Sequence, residues 1–329
     1  MENKKNLGIY IYKILKEESD ENHRLQFNDI ISILKDKYGI VAGRNAIGRN
    51  IDSLIGAGFY VEKTSKGVYL GERDFEDSEV EYLIDSVYSS KSLPSGFASE
   101  LVGKLCKNFS KFKQNRFEYL FSSNGMQELN RSLNKQVFYN IDLLSEAISK
   151  GVQVEFTYNQ LGFDKKLTPK KEHSYIVNPY FMLNNNGKYY LVGNYNKYYN
   201  LSHYRIDYIT DLKLLDNKAK PATSLFGYEN GIDKFKYANE HIYMFGGNSV
   251  DAELLVNNID ALSAVFDWFG LDLEVKQKED KYLVKLHTNE NALFYWVIQY
   301  GENVELLSPK ILRNKLSKFS KMLFEKYND

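Results

Sequence analysis

Two groups of residues have the types and spacing to do chemistry. His203 and Arg205 stand two apart in His203-Tyr204-Arg205-Ile206-Asp207-Tyr208-Ile209, about a dozen residues after Lys188-Tyr189-Tyr190-Leu191-Val192. A guanidinium and an imidazole beside tyrosine rings suit a ligand with both a phosphate and a base, such as a nucleotide or a short single strand. Lys165, Lys166, Lys170 and Lys171 raise the local positive potential. The candidate ligand set is therefore Tyr158, Lys171, Tyr189, Tyr190, His203 and Arg205. The competing structural reading puts Tyr189 and Leu191 in a core, pairs Arg205 with Asp207 or Glu155, and leaves His203 an ordinary surface histidine.

The second group lies far upstream. Arg44, Asn45, Gly48, Arg49 and Asp52 fall on one side of a helical repeat whose other side is Ile47, Ile51, Leu54 and Ile55. Such a row can enter a major groove, where arginine pairs with guanine edges, asparagine with adenine, and both reach phosphates. Gly48 costs a helix interior about 1 kcal/mol relative to alanine, a cost consistent either with close approach to a sugar-phosphate backbone or with drift at a tolerant surface site. The bland alternative is a three-helix interaction domain with a solvated charged face.

These residues need elements to hold them. Asn186-Gly187 favours a two-residue hairpin turn, because both positions tolerate positive φ. Tyr180–Leu183 and Lys188–Tyr195 should then pair antiparallel. Alternation along a strand sets Tyr189, Leu191 and Gly193 on one face and Tyr190, Val192 and Asn194 on the other, and it puts His203 and Arg205 together opposite Tyr204 and Ile206. Upstream, Leu7, Tyr10, Ile11, Ile14 and Leu15 predict a first helix, and Phe27, Ile30, Ile31, Leu34 and Tyr38 a second, stopped by Gly39. After the third helix, ended by Gly58, residues 60–63 and 67–70 read as a wing hairpin that offers Lys63 and Lys66 to phosphate.

Residues 141–218 resemble a WYL domain, a small five-stranded SH3/Sm-like β-barrel. The resemblance rests on five tracts in order. They are the lead-in helix Ile141–Lys150, the alternating strand Val152–Tyr158, Asn178-Pro179-Tyr180, Tyr189-Tyr190-Leu191 where the family has Trp-Tyr-Leu, and Tyr204–Ile209 where it usually has an Arg-Leu-Asp-Arg-Ile type of sequence. Tyr208 stands in place of the second arginine. The resemblance implies a ligand-sensing module for nucleotides or nucleic-acid fragments, commonly preceded by a helix-turn-helix. Asn50 joins Arg44, Asn45, Arg49, Lys63 and Lys66 in the DNA-contact set through its resemblance to the family's position.

The 329 residues exceed the usual single-domain size, so several units are expected. An α+β multidomain chain follows: a winged helix-turn-helix over 1–75, a helical linker and dimerisation region over 76–137, the barrel over 138–219, and a C-terminal extension over 220–329. In the linker, Val80, Leu83, Ile84 and Val87 form one stripe and Leu101, Leu105, Phe109 and Phe112 another, separated by Leu93-Pro94-Ser95-Gly96. The C-terminal part reads as strand 250–256, helix 259–269, strands 271–275 and 282–286, helix 291–300 and strand 304–307. That β-α-β-β-α-β order suggests a ferredoxin-like sandwich. It resembles the extension found after many WYL domains, in particular through Tyr295-Trp296, Gly301 and Ser308-Pro309. A last helix carries Ile311, Leu312, Leu316, Phe319 and Leu323.

Lys and Arg (43) balance Asp and Glu (43), so any basic surface must be local. One cysteine, Cys106, excludes an internal disulfide and a thiolate-rich metal site, and it reads as a packing residue. Five scattered histidines lack ligand spacing, and there is no P-loop, dinucleotide fingerprint or HExxH. No cofactor, metal or catalysis is expected. No run is long and apolar enough to span a membrane, so a cytoplasmic location is expected. The expected partners are double-stranded operator DNA, a nucleotide or single-stranded effector, and a second copy of the chain, making a ligand-responsive transcription regulator. Two other classes stay open: a nucleic-acid-binding accessory subunit of a defence or nuclease complex, and a dimeric adaptor that binds no DNA.

Overall fold

The computed structural model describes residues 6–73, 75–114, 132–198 and 200–328. The fold is mixed α+β and divides into two compact units, Met1–Ser132 and Leu133–Asp329. Residues 115–131 of the expected linker lie outside the described residues.

The first unit opens with three helices, α1 (Leu7–Glu18), α2 (Phe27–Tyr38) and α3 (Arg44–Gly56), followed by an antiparallel hairpin of β1 (Val61–Thr64) and β2 (Gly67–Leu70). The apolar spacing seen in the sequence becomes one core. Leu7, Ile11, Ile14 and Leu15 of α1 meet Ile30 and Leu34 of α2 and Ile47 and Ile51 of α3. Ile55, expected on this face, is instead 41% exposed, one step past the buried stripe. A capping box of Gln26 and Asp29 starts α2, and Gly39 ends it at φ 66°, the left-handed conformation glycine adopts without steric cost. Leu25 pairs with Val68, which ties the hairpin to the loop before α2.

The helices α4 (Asp77–Ser89) and α5 (Ser95–Cys106) follow, then the short α6 (Lys111–Gln114). Val80 and Ile84 bury against Val102, Cys106 and Phe109. The buried column of α5 is thus Ala98, Val102 and Cys106, one position on from the expected Leu101 and Leu105, which are only half-buried. Phe112 lies outside that column and stacks on His23, with ring centroids 3.7 Å apart. Between these helices and α1 sits a buried polar lock. Asp20 is 1% exposed and accepts hydrogen bonds from Ser110 and from the backbone and ring nitrogens of His23. Burial alone would raise its pKa, but these donors outweigh it and hold the carboxyl below its ordinary value. Beside it, the Arg73 guanidinium donates to the carbonyls of Lys16, Ser19 and Asn108 at 2.8–3.0 Å.

The second unit begins with α7 (Val137–Lys150), stopped by Gly151, and a curled antiparallel sheet. Its strands are β3 (Val152–Leu161), β4 (Leu167–Pro169), β5 (Tyr175–Asn185), β6 (Lys188–Tyr195), β7 (Leu201–Arg205) and β8 (Ile209–Lys218). They number six rather than five because the short β4 folds back on the end of β3. β3 also pairs with β5 and β8, and β6 lies between β5 and β7. The Asn186-Gly187 turn forms with φ values of 50° and 72°, and Asn185 pairs with Lys188 across it. β5 starts five residues earlier than expected, because it also has to reach β3. Buried amides then join the strands. Gln153 donates to Asn178, Asn178 to Asn194, and Asn194 to the carbonyls of Tyr198 and Asn200.

After α8 (Lys234–Glu240) come β9 (Ser249–Val256), α9 (Ile259–Phe269), β10 (Glu274–Lys278), β11 (Lys281–Asn289), α10 (Glu290–Gln299), β12 (Val304–Ser308) and α11 (Lys310–Tyr327). The four strands form one antiparallel sheet in the order β10-β11-β9-β12. Ala252, Leu254 and Val256 point from β9 into a core with Val265 and Trp296 of the two helices. β10 begins at Glu274 and not at Leu271, which is 83% exposed, because its register is set by the hairpin to β11. On α11 the buried side runs through Leu312, with Leu316 and Phe319 packed against the same core, whereas Ile311 is 84% exposed.

Gly193 faces the backbone of β5: a Cβ there would meet the Asn178 carbonyl oxygen at 2.7 Å. Gly193→Ala should therefore lower unfolding stability by about 1–3 kcal/mol, read from urea denaturation. An unchanged midpoint would mean that the β5–β6 bulge absorbs the methyl group.

Candidate functional site

The ends of β6 and β7 and the loop after β4 converge on a cleft of about 340 Å³. Its walls are Tyr158, Tyr175, Tyr195, Tyr198 and Tyr204, with Lys170, Lys171 and His203 at its margins. Phe156, Tyr158, Tyr175 and Tyr204 pack edge-to-face or stacked behind it, with centroids 5.2–6.4 Å apart. The Lys171 ammonium lies over two of these rings, 4.8 Å from the Tyr175 centroid and 5.3 Å from that of Tyr195. A cation held against ring faces is ready to accept a phosphate while the rings offer a stacking surface. Tyr158 is fixed from behind, since its hydroxyl accepts a hydrogen bond from the Arg205 backbone N–H at 3.1 Å. Burial pushes its pKa up to about 12, so it stays a neutral phenol.

Of the six expected ligand residues, the structure brings Tyr158, Lys171 and His203 to this cleft. Tyr190 and Arg205 face each other across the β6–β7 pair and do not line it. Tyr189 sits opposite Asn184 in the β5–β6 hairpin. Arg205 is held by Asp207, with Nε to Oδ1 at 3.0 Å and Nη2 to Oδ2 at 2.6 Å, and its guanidinium lies 3.9 Å above the Tyr208 ring. The Asp207 side chain is fully buried and that of Arg205 is 21% exposed. Burial alone would lower the Arg205 pKa, but the bonds to Asp207 outweigh it and raise it. Tyr208, where the resemblance led one to expect a second arginine, is the ring on which Arg205 rests.

His203 is not a free surface side chain. Its Nε2 lies 2.7 Å from the Tyr237 hydroxyl on α8, and its ring centroid is 5.3 Å from that of His241. Tyr237 stacks on His241 at 4.0 Å. Burial lowers the pKa of His203 to about 3, with His241 adding to the shift, and that of His241 to about 4, with His287 adding to it. Tyr237 and His241 escaped the sequence reading, although Asp233 ahead of Lys-Phe-Lys-Tyr is a helix N-cap signal and does cap α8.

On α3, Arg44, Asn45, Arg49 and Asp52 are exposed in one row. The Arg44 guanidinium lies 5.6 Å from the centre of the Phe27 ring, which also packs beside Gly48. Asn50 leaves the row: it is partly buried, and its amide donates to the Ala46 carbonyl at 2.8 Å. Lys63 pairs with Asp52, while Lys66 is exposed at the hairpin tip.

This geometry defines a small antiparallel β-module with a tyrosine- and lysine-lined cleft. Residues 139–214 match the family model of the WYL domain, and the chain carries a WYL domain there. Among solved structures, it is similar to proteasome accessory factor B/C (PafBC) of Arthrobacter aurescens, with 15% identity over 98% of this chain, 49% of that chain and a TM-score of 0.31. It is also similar to a CRISPR Cas-related protein, with 13% identity over 78% of this chain, 75% of that one and a TM-score of 0.39. The chain spans about half the length of the PafBC structure. No curated protein matches the sequence. Among the described residues no helix is long and apolar enough to cross a membrane.

Two outcomes follow from the site. Arg205→Ala should cost about 3 kcal/mol of stability, because Asp207 keeps its burial and loses its cation; an unchanged urea midpoint would return Arg205 to a ligand-contact role. The folded pKa values of His203 and His241 lie below the ordinary 6.5, so the unfolded chain takes up protons that the fold refuses. Their contribution to stability is complete above about pH 6.5 and is lost as pH falls toward 4 for His241 and toward 3 for His203, at up to about 1.4 kcal/mol per pH unit for each excluded proton. His203→Gln should flatten the stability profile between pH 6.5 and 5, and an unaltered slope would show that His203 titrates alike in both states.

Proposed function

We propose that this chain is a homodimeric, ligand-responsive transcription regulator that binds operator DNA through its first three helices and reads a nucleotide or short nucleic acid with its WYL domain. The observation that carries the reading is the row Arg44, Asn45 and Arg49, solvent-facing on α3 beside a lysine-tipped hairpin. In this reading α1 to β2 are a winged helix-turn-helix over residues 1–75. α3 enters the major groove, and the hairpin places Lys66 on a phosphate. Lys63 is partly neutralised by Asp52 and contributes less. Asn50 braces the helix from within and makes no base contact.

Residues 76–137 act as the linker between subunits, and residues 138–219 as the sensor. Residues 220–329 act as a ferredoxin-like extension, supported by the strand order β10-β11-β9-β12. The effector's base stacks on Tyr195 or Tyr198 and its phosphate meets Lys170 and Lys171. Ligand binding shifts the equilibrium between two arrangements of the DNA-reading heads, which requires different affinity for the ligand in each. The protein works in the cytoplasm, without catalysis and without a cofactor.

A gel-shift titration against the chain's own upstream DNA, with unrelated DNA as competitor, tests this reading. Arg44→Ala and Arg49→Ala should each weaken selective binding by about 1–3 kcal/mol if they read bases. Equal affinity of both variants and wild type would remove α3 as the recognition helix.

A further inference from the structure

A second and larger cavity, of about 1040 Å³, adjoins the tyrosine cleft. It shares Tyr198, Asn200, Leu201 and His203 with the cleft and runs on to the loop 226–232, to α8 and to His287 of β11, none of which the cleft reaches. Its size lies at the upper end of the roughly 300–1,000 Å³ of clefts that hold small molecules. The loop at its edge turns at Gly227 and Gly231, with φ of 84° and 90°. Phe226 on that loop is 92% exposed and Tyr198 is 51% exposed, so two ring faces lie open to an occupant.

The polar groups of its wall are mostly acceptors. His241 is 4% exposed, and its Nδ1 lies 3.1 Å from the Tyr237 carbonyl, which can only accept. The ring proton therefore sits on Nδ1, and Nε2 is a bare acceptor that meets no donor among the described residues. Glu240, the last residue of α8, is half-buried. Among the described residues its carboxylate has no ion-pair partner, and it receives one long hydrogen bond, from Ser249 at 3.5 Å. Burial keeps His203 and His241 uncharged at neutral pH. The lysines and carboxylates of the lining balance, Lys197 and Lys236 against Asp233 and Glu240. An anion in this space faces Glu240. A cation competes with Lys236, which stands one helical turn before Glu240 and can reach it. A neutral molecule rich in O–H donors meets neither obstacle.

We propose that this cavity is a binding site for a neutral sugar, a mono- or disaccharide, whose hydroxyls donate to the Glu240 carboxylate and to His241 Nε2 while the C–H face of its ring packs on Phe226 or Tyr198. A sugar combines what the two kinds of wall require. Its hydroxyls radiate from the ring edge, where adjacent ones can donate together to the two oxygens of a carboxylate in charge-assisted bonds. Its C–H groups form an apolar face that takes aromatic surface out of water. The site is independent of the effector reading above, since neither Lys170 nor Lys171 lines it, and either can fail without the other.

The test is isothermal titration calorimetry of the full chain with glucose, galactose, mannose, ribose, N-acetylglucosamine and maltose, followed by competition with putrescine and with inorganic phosphate. At least one sugar should bind saturably, with a Kd below about 1 mM. Glu240→Gln should weaken that binding about tenfold or more, and Phe226→Ala about three- to tenfold. Phe226 faces solvent, so its substitution leaves the fold intact, which circular dichroism checks, and it carries the test should Glu240→Gln unfold the chain. Saturable sugar binding that both variants leave unchanged lies elsewhere on the molecule and overturns the assignment. Displacement of the sugar by an equal concentration of putrescine or phosphate marks a site for a charged ligand and overturns it too. So does the absence of saturable binding across the six sugars.

Discussion

The WYL domain depends on a chain of buried amides. Asn178 and Asn194 are both 0% exposed, and a buried amide that lacks a partner costs on the order of 1–3 kcal/mol. Each therefore fixes its neighbours. Gln153 holds β3 to β5, Asn178 holds β5 to β6, and Asn194 reaches on to the carbonyls of Tyr198 and Asn200. The last link shapes the loop that carries Tyr198 to the edge of the cleft. Polar groups deep in the sheet thus determine where an aromatic surface stands at its rim.

Two other interactions divide the labour of β7. Alternation sends Tyr204 inward to the aromatic cluster, His203 toward α8, and Arg205 onto Asp207 and Tyr208. His203 and Arg205 share a strand face, yet one packs against the segment after the curled sheet and the other closes the turn into β8. The neutral His203–Tyr237–His241 stack joins the curled sheet to the following helix through groups whose burial favours their uncharged forms.

Much of this was legible in the sequence, for identifiable reasons. Asn186-Gly187 announced its hairpin because few dipeptides accept two positive φ values. The C-terminal β-α-β-β-α-β order was readable because its helices and strands carry clean periods, as in Ala252, Leu254 and Val256. The site was harder. Arg44, Asn45 and Arg49 emerged from helical spacing alone, but the inward turn of Asn50 depends on a bond to Ala46 that spacing does not encode. The pairing of Arg205 with Asp207 was one of two readings the sequence allowed, and its choice rests on a 3-10 turn at Ile206–Tyr208. Tyr237 and His241 were invisible because their partner, His203, lies more than thirty residues away, and no local pattern records a contact of that range.

The polar lock in the first unit fastens segments that lie far apart in sequence. Arg73 gathers the carbonyls of Lys16 and Ser19, at the end of α1, together with that of Asn108, beyond α5. Its five N–H groups are arranged in a fixed plane, so the three carbonyls are held at set angles as well as set distances. Asp20 and Ser110 add a second fastening beside the first. Two fastenings remove the swivel that one alone would leave. The end of α1 and the segment after α5 are therefore bolted together like two beams at a double joint, and α1 shares its core with α3, the helix that carries Arg44 and Arg49.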